Sequence, residues 1–193
     1  DFGCGNGGFI LKAKTLATEI IGIELEKRVL EYWKGRLEIV SSIEKAEGKY
    51  DLITSFHVIE HLADPKVVLS ELVGHMAPKG RIIIEVPSSE DALLTLYDND
   101  DFQQFSYWSQ HLFLFNTNTL NILAQQVGLK VVSIQQYQRY SLSNHLYWLS
   151  RGEPGGHKKW GFLDSPLLNE AYSNSLAKIG KSDTLIGHFE KND

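Results

Sequence analysis

The sequence has almost no cysteine and lacks long apolar segments. Cys4 is the only cysteine among 193 residues, so the chain cannot form an internal disulfide. No stretch of apolar residues approaches the roughly 20 that are needed to cross a bilayer. We therefore expect a cytoplasmic protein without a membrane span, in a compartment where thiols stay reduced.

Positive charge is also scarce. Lysine and arginine together number 19, against 24 aspartates and glutamates, which gives a formal net charge of -5. Proteins that bind nucleic acid usually carry a basic face or stripe, because they neutralise phosphates. The single local basic cluster is residues 157–159, which is too small to form such a face. We therefore expect no nucleic-acid partner.

The first 87 residues alternate between apolar strand-like segments and amphipathic helix-like segments. The pattern predicts helices over 9–18, 26–34 and 65–76, and strands over 20–23, 37–40, 50–56 and 81–86. Strands that alternate with helices are typical of right-handed βαβ units. The sequence therefore predicts a doubly wound α/β fold with a mostly parallel sheet.

The chain begins inside a glycine-rich turn, Asp1–Gly8, with no strand before it. A turn of this kind normally follows a buried strand, which cannot be omitted without exposing its neighbours. We therefore expect an N-terminally truncated domain, whose first strand and at least one helix are encoded upstream of Asp1.

From Ser88 onward the alternation gives way to an acidic and aromatic stretch, which we expect to form a lid or insert. A helix is predicted from Thr117, a strand over 129–134, a helix over 167–179 and a last strand over 184–189. We expect a single domain over 1–193, in which 1–87 is the cofactor-binding half. Residues 88–193 would supply the lid, acceptor-side elements and last strands.

The glycines before the first helix predict a nucleotide-like ligand, because missing side chains let the backbone approach it closely. Their spacing fits two ligands. Gly3, Gly5 and Gly8 satisfy G-x-G-x-x-G for a dinucleotide, whereas Asp1, Gly3, Gly5 and Gly7 satisfy D-x-G-x-G-x-G for S-adenosylmethionine. Glu24 ends the next strand, where a carboxylate can accept both ribose hydroxyls in either case.

Residues 57–61, His-Val-Ile-Glu-His, also fit the H-x-x-E-H pattern of inverted zinc proteases. That pattern needs a long helix beneath its two histidines. A strand is predicted immediately upstream and a new helix starts at Asp64–Pro65, so the protease is the weaker interpretation. We expect no metal among the site residues.

The ordered motifs together resemble class I S-adenosylmethionine-dependent methyltransferases. They are Asp1–Gly7, Glu24, Tyr50–Ile53 with His57–His61, and Pro78–Gly80 with Ile84–Pro87. The most similar branch is that of small-molecule O-methyltransferases such as those of ubiquinone biosynthesis. The resemblance implies a seven-stranded Rossmann-like sheet whose first strand is missing from this chain.

The resemblance also implies site residues. Asp1, Gly3, Gly5 and Gly7 would surround the methionine part of S-adenosylmethionine, and Glu24 would bind its ribose. The remaining cofactor-binding positions are Ser41, Ser42 and Ile43, at the adenine, and Phe56, at the end of the strand over 50–56.

Three histidines, His57, His61 and His111, are candidate catalytic residues, since a near-neutral pKa suits a general base that deprotonates a hydroxyl acceptor. The expected activity is methyl transfer to a small molecule at a hydroxyl oxygen of a sugar, lipid precursor, phenol or quinone. The alternatives are an NAD(P)-dependent oxidoreductase and a non-catalytic module that binds S-adenosylmethionine.

Overall fold

The computed structural model describes residues 1–192. The helices are α1 (Gly8–Ala13), α2 (Lys27–Trp33), α3 (Pro65–Gly74), α4 (Ala92–Thr95), α5 (Asp100–Ser106), α6 (Thr117–Gln126), α7 (Leu142–Arg151), α8 (Gly156–Lys159) and α9 (Pro166–Lys178). The strands are β1 (Gly22–Ile23), β2 (Ile39–Val40), β3 (Tyr50–Phe56), β4 (Met76–Pro87), β5 (Leu129–Tyr137) and β6 (Thr184–Lys191). No helix within residues 1–192 is both long and apolar enough to cross a membrane.

Phe2 connects two groups of strands through isolated β-bridges. β3, β4, β6 and β5 form a four-stranded sheet in that order, and β1 and β2 form a two-stranded one. Phe2 makes parallel bridges with Ile23 of β1 and with Ser55 of β3, so it lies between the two groups. The carboxyl ends of β1 and β3, and the residues that follow Phe2, therefore meet at one edge.

The sheet is mixed, because one strand, β6, runs against the direction of the others. β1 pairs with β2, and β3 with β4, in parallel, but β6 is antiparallel to both of its neighbours, β4 and β5. Alternating apolar residues specify which face of a strand is buried but not the direction in which it runs. The sheet is therefore mixed.

Helix caps explain where the clearest helices begin. The Asp64 carboxylate accepts a hydrogen bond from the Val67 amide, and Pro65 occupies the first turn of α3. Asn116 and Thr119 form a reciprocal capping box at the start of α6. Both helices pack Leu side chains onto the sheet, including Leu69 and Leu120, which are fully buried in the main core.

Helix α7 buries three polar side chains beside the aromatic rings of Tyr147 and Trp148. Ser143, Asn144 and His145 are all buried. Ser143 Oγ donates to Asp164 Oδ2 at 2.7 Å, and His145 Nδ1 lies 2.8 Å from the Tyr172 hydroxyl. The acidic and aromatic stretch after Ser88, which was expected to form a lid or insert, contains the short helices α4 and α5.

Candidate functional site

The glycine turn has backbone conformations that other residues rarely adopt. Gly3, Gly5 and Gly7 have φ angles of 72°, 51° and 74°. A Cβ at Gly3 would lie 2.2 Å from Val58 Cγ2, so the turn packs directly on the segment that follows β3. A Cβ at Gly5 would meet no atom within 4 Å. The backbone at Gly5 is therefore open to a ligand that approaches closely.

Glu24 is joined to this turn by its side chain. One carboxylate oxygen accepts a hydrogen bond from the Gly5 amide at 2.9 Å. The other accepts from the amides of Leu25 and Glu26, at 2.7 and 3.0 Å. The carboxylate is only partly buried and thus lies where a hydroxyl could also reach it.

Asp1 begins the glycine turn, and Phe56 contacts the helix that follows it. The Thr54 hydroxyl donates to Asp1 Oδ1 at 2.8 Å, which fixes that carboxylate against β3. The Phe56 ring, at the end of β3, contacts the ring of Phe9 in α1 edge to face, with 5.0 Å between ring centroids. Phe56 is only partly buried, so its ring can border a ligand on the turn.

Ser41, Ser42 and Ile43 follow β2, next to the strand that ends at Glu24. The Glu24 amide donates to Val40 O at 3.0 Å, which aligns the two strand ends. Ser41 Oγ accepts a hydrogen bond from Lys45 Nζ at 2.8 Å, and Ile43 is buried. These residues therefore lie at the same sheet edge as Glu24.

His57 does not have the properties of a free general base. Its Nε2 lies 2.8 Å from Glu85 Oε1, its Nδ1 lies 3.4 Å from Glu60 Oε1, and the Arg139 guanidinium contacts the same ring. Burial lowers the pKa of His57, but the contacts with Glu60 and Glu85 outweigh burial and Arg139 and raise it to about 9. At neutral pH the ring is protonated and cannot accept a proton.

His61 and His111 lie close together, each with its Nδ1 at a backbone carbonyl, and the His61 Nε2 lies 3.8 Å from Glu60 Oε1. Their ring centroids are 5.0 Å apart. His61 Nδ1 is 2.7 Å from Gln110 O, and His111 Nδ1 is 2.8 Å from Ser106 O. Because a carbonyl oxygen can only accept, each Nδ1 carries the proton and each Nε2 has a lone pair. Both histidines are therefore able to accept a proton or bind a cation.

Sequence reasoning missed three residues at this edge: Glu60, Glu85 and Arg139. Glu85 is a charged residue within the apolar run of β4, and this exception to the pattern could have identified it as a candidate functional residue. Glu60 appeared within the protease pattern and within the methyltransferase motif over 57–61, but no role was assigned to it; residues 59–61 form a short 3₁₀ turn instead of the long helix that the protease pattern requires. Arg139 comes from beyond β5, and no local pattern connects it with His57.

Comparisons with known proteins agree with this geometry. A family model described as a methyltransferase domain matches residues 1–134. An uncharacterized 37.1 kDa protein in a transposon of Streptomyces fradiae is 26% identical over 125 residues, covering 58% of this chain and 35% of that protein. The chain thus spans about a third of the length of this relative.

Solved structures with the same fold have low sequence identity to this chain. A SAM-dependent methyltransferase from Archaeoglobus fulgidus has a TM-score of 0.63 at 20% identity, with 99% of this chain and 84% of that chain covered. An N-methyltransferase from Bradyrhizobium japonicum has a TM-score of 0.58 at 15% identity, with coverages of 100% and 84%. A SAM-dependent methyltransferase from Thermotoga maritima has a TM-score of 0.60 at 18% identity, with coverages of 100% and 80%.

These structures support a Rossmann-like methyltransferase fold, and the family match extends over more than half of the chain. The expected membership of the methyltransferase family is confirmed at the level of the domain. The chain belongs to the family of methyltransferase domains.

Proposed function

We propose that this protein transfers the methyl group of S-adenosylmethionine to a hydroxyl oxygen of a small molecule. The observation that carries the proposal is the hydrogen bond from the Gly5 amide to the Glu24 carboxylate, 2.9 Å long. It brings the open backbone of the glycine turn and a strand-end carboxylate together at one edge of the sheet. This is the arrangement that a nucleoside with a charged tail requires.

The residues at this edge fit the chemistry of S-adenosylmethionine. The Asp1 carboxylate can attract the ammonium of the methionine part, whereas it would repel a pyrophosphate. The Glu24 carboxylate can accept hydrogen bonds from the ribose hydroxyls, and residues 41–43 with Phe56 can border the adenine. When bound, the cofactor supplies a sulfonium methyl group that a nucleophile displaces in line.

The acceptor side is assigned to the segments that follow β3 and precede α6. His61 and His111 each present a free Nε2 there, and the Trp108 ring contacts His111 edge to face with 5.7 Å between ring centroids. The lone pairs have two potential roles: to accept the hydroxyl proton directly, or to hold a cation that lowers the pKa of the hydroxyl. The acceptor classes are a sugar, a lipid precursor, or a phenol or quinone as in ubiquinone biosynthesis.

The wider organisation is proposed on the same basis. β2, β1, the strand marked by Phe2, β3, β4, β6 and β5 would form one seven-stranded sheet in a single domain, with the lid after Ser88. The single cysteine favours the cytoplasm, and the negative net charge favours a small molecule over nucleic acid as partner.

Titration calorimetry with S-adenosylhomocysteine and with NAD⁺ tests the cofactor. We expect the protein to bind S-adenosylhomocysteine and not NAD⁺, because a carboxylate lies at the turn. Binding of NAD⁺ alone would overturn the proposal in favour of an oxidoreductase. Binding of neither would indicate a domain that has lost its cofactor.

A further inference from the structure

We propose that Glu60, His61 and His111 bind a divalent transition-metal ion such as Zn²⁺. The three side chains each offer a ligand atom, and these atoms all lie within 4.8 Å of one another. On a tetrahedral ion with bonds of about 2.1 Å, ligand atoms lie roughly 3.4 Å apart. Small rotations of the side chains would bring them to that spacing.

The backbone holds the two contributing segments together. Glu60 and His61 lie on the 3₁₀ turn that follows β3, and His111 precedes α6. The amides of Leu112 and Phe113 both donate to Glu60 O, at 2.9 and 3.1 Å. The position of His111 relative to Glu60 therefore does not depend on a long flexible loop.

The two histidines are already oriented as metal ligands usually are. In metal sites, a ligating histidine donates its other ring N–H to a carbonyl or carboxylate, which fixes the tautomer. His61 and His111 bond in this way to Gln110 O and Ser106 O. Two separate backbone carbonyls thus leave both Nε2 atoms available as ligands, and the His61 Nε2 lies 3.8 Å from Glu60 Oε1.

Glu60 supplies the independent observation. Its side chain is 1% exposed, and within residues 1–192 neither carboxylate oxygen has a hydrogen-bond partner. A buried carboxylate is costly unless it is paired or coordinates a metal. His57 lies 3.4 Å from one of its oxygens, but the Nε2 of that histidine is engaged by Glu85. A cation between Glu60, His61 and His111 would give the Glu60 carboxylate the partner that it lacks.

The ligand set selects the class of metal. Two imidazoles and one carboxylate suit zinc and other first-row divalent ions, whereas Mg²⁺ and Ca²⁺ prefer oxygen ligands alone. Three protein ligands leave at least one coordination position open, as in catalytic metal sites. If the proposed function holds, that position can take the acceptor oxygen and lower the pKa of its proton.

Metal binding can be measured without knowing the acceptor. Chelator-treated protein is titrated with Co²⁺, whose visible absorption reports nitrogen ligands, and with Zn²⁺ while the unfolding temperature is followed. We expect one equivalent of each metal to bind and Zn²⁺ to raise the unfolding temperature. Mg²⁺ should do neither.

Variants separate this site from adventitious binding. Glu60→Gln keeps the size of the side chain and should weaken Co²⁺ binding by more than about tenfold, since even loss of an outer contact costs about 10- to 100-fold. His111→Ala should do the same, whereas His157→Ala, at an exposed histidine elsewhere, should bind as the parent does. Because Glu60→Gln also weakens the contact with His57, circular dichroism of the metal-free proteins is used to check that the variant keeps the fold of the parent.

The inference is overturned if Co²⁺ fails to bind, or if it binds Glu60→Gln as tightly as the parent. If Co²⁺ fails to bind, the role of Glu60 is limited to its ion pair with His57. Calorimetry with S-adenosylhomocysteine on the same samples separates this outcome from failure of the proposed function. A protein that binds the cofactor product but not Co²⁺ loses only the metal site.

Discussion

Replacing Glu24 by alanine should weaken binding of S-adenosylhomocysteine far more than it weakens folding. The side chain is proposed to accept hydrogen bonds from both ribose hydroxyls, and bonds to a charged acceptor contribute about 1.5 to 3 kcal/mol. In the present structure the same carboxylate already accepts from the Gly5, Leu25 and Glu26 amides. The ribose must share or displace these bonds, so the net loss should be about 2 to 3 kcal/mol in total.

That loss corresponds to a dissociation constant about 30- to 150-fold higher. The cost to folding should be smaller, about 1 kcal/mol, because the partly exposed amides can bind water once the carboxylate is removed. Calorimetry with S-adenosylhomocysteine gives the first quantity, and urea unfolding monitored by circular dichroism gives the second. Glu24→Gln should lie between the parent and Glu24→Ala.

Glu26→Ala is the matched control. Its carboxylate is exposed and accepts from the Arg28 amide at the start of α2, so removing it should leave the affinity nearly unchanged. The reasoning is refuted if Glu24→Ala binds as tightly as Glu26→Ala, because the ribose would then be held by other groups. It is also refuted if both variants lose affinity equally.

Three further outcomes are expected. Gly5→Ala should lower stability by about 1 kcal/mol, because Gly5 has a positive φ, and calorimetry should also show weaker binding of S-adenosylhomocysteine. Gly48 also has a positive φ and lies in open space, so Gly48→Ala should lower stability alone. Burial lowers the pKa of His145 from 6.5 to about 4, so its contribution to stability is full above pH 6.5 and is lost as the pH falls towards 4. Between pH 7.5 and 5, chemical denaturation should therefore show His145→Gln gaining about 2 kcal/mol relative to the parent, and an unchanged difference would contradict burial as the cause. Burial raises the pKa of Asp91 to about 7, so protonation of Asp91 stabilises the folded state as the pH falls. This effect is the same in the parent and in His145→Gln, and it therefore cancels in the comparison. His111→Ala should lower methyl transfer to a phenolic surrogate by about 10²- to 10⁴-fold with S-adenosylhomocysteine affinity retained, and full turnover would leave His111 as a packing residue.

The sequence predicted those elements whose signals are local. β3 has the predicted bounds because a short apolar run is bordered by polar residues. Helices α3 and α6 begin at their predicted caps, Asp64 and Asn116, since a cap satisfies amides only a few residues away. The position of Glu24 at a strand end was also predicted, but its hydrogen bond with the Gly5 amide was not.

Elements that depend on distant partners could not be predicted. α7 was not predicted, and its buried face could not be read from the sequence, because polar residues such as Asn144 and His145 are buried while Leu149 of its apolar stripe is exposed. The protonation of His57 depends on Glu85, which the register of β3 against β4 brings to it. The proximity of His61 to His111 depends on a chain path of 50 residues between them, and no spacing rule describes that path.

The polar attachment of α7 has a consequence for how such domains diversify. Phe102 and Phe105 of α5 pack on Trp148 of α7, so the lid and α7 form one apolar unit. That unit meets its surroundings through hydrogen bonds such as those of His145 and through the packing of Tyr147 on Trp160. Because a small number of directional contacts fix its place, related chains could exchange this portion as a block. We expect acceptor preference to be inherited with the block, while the cofactor half keeps its sequence.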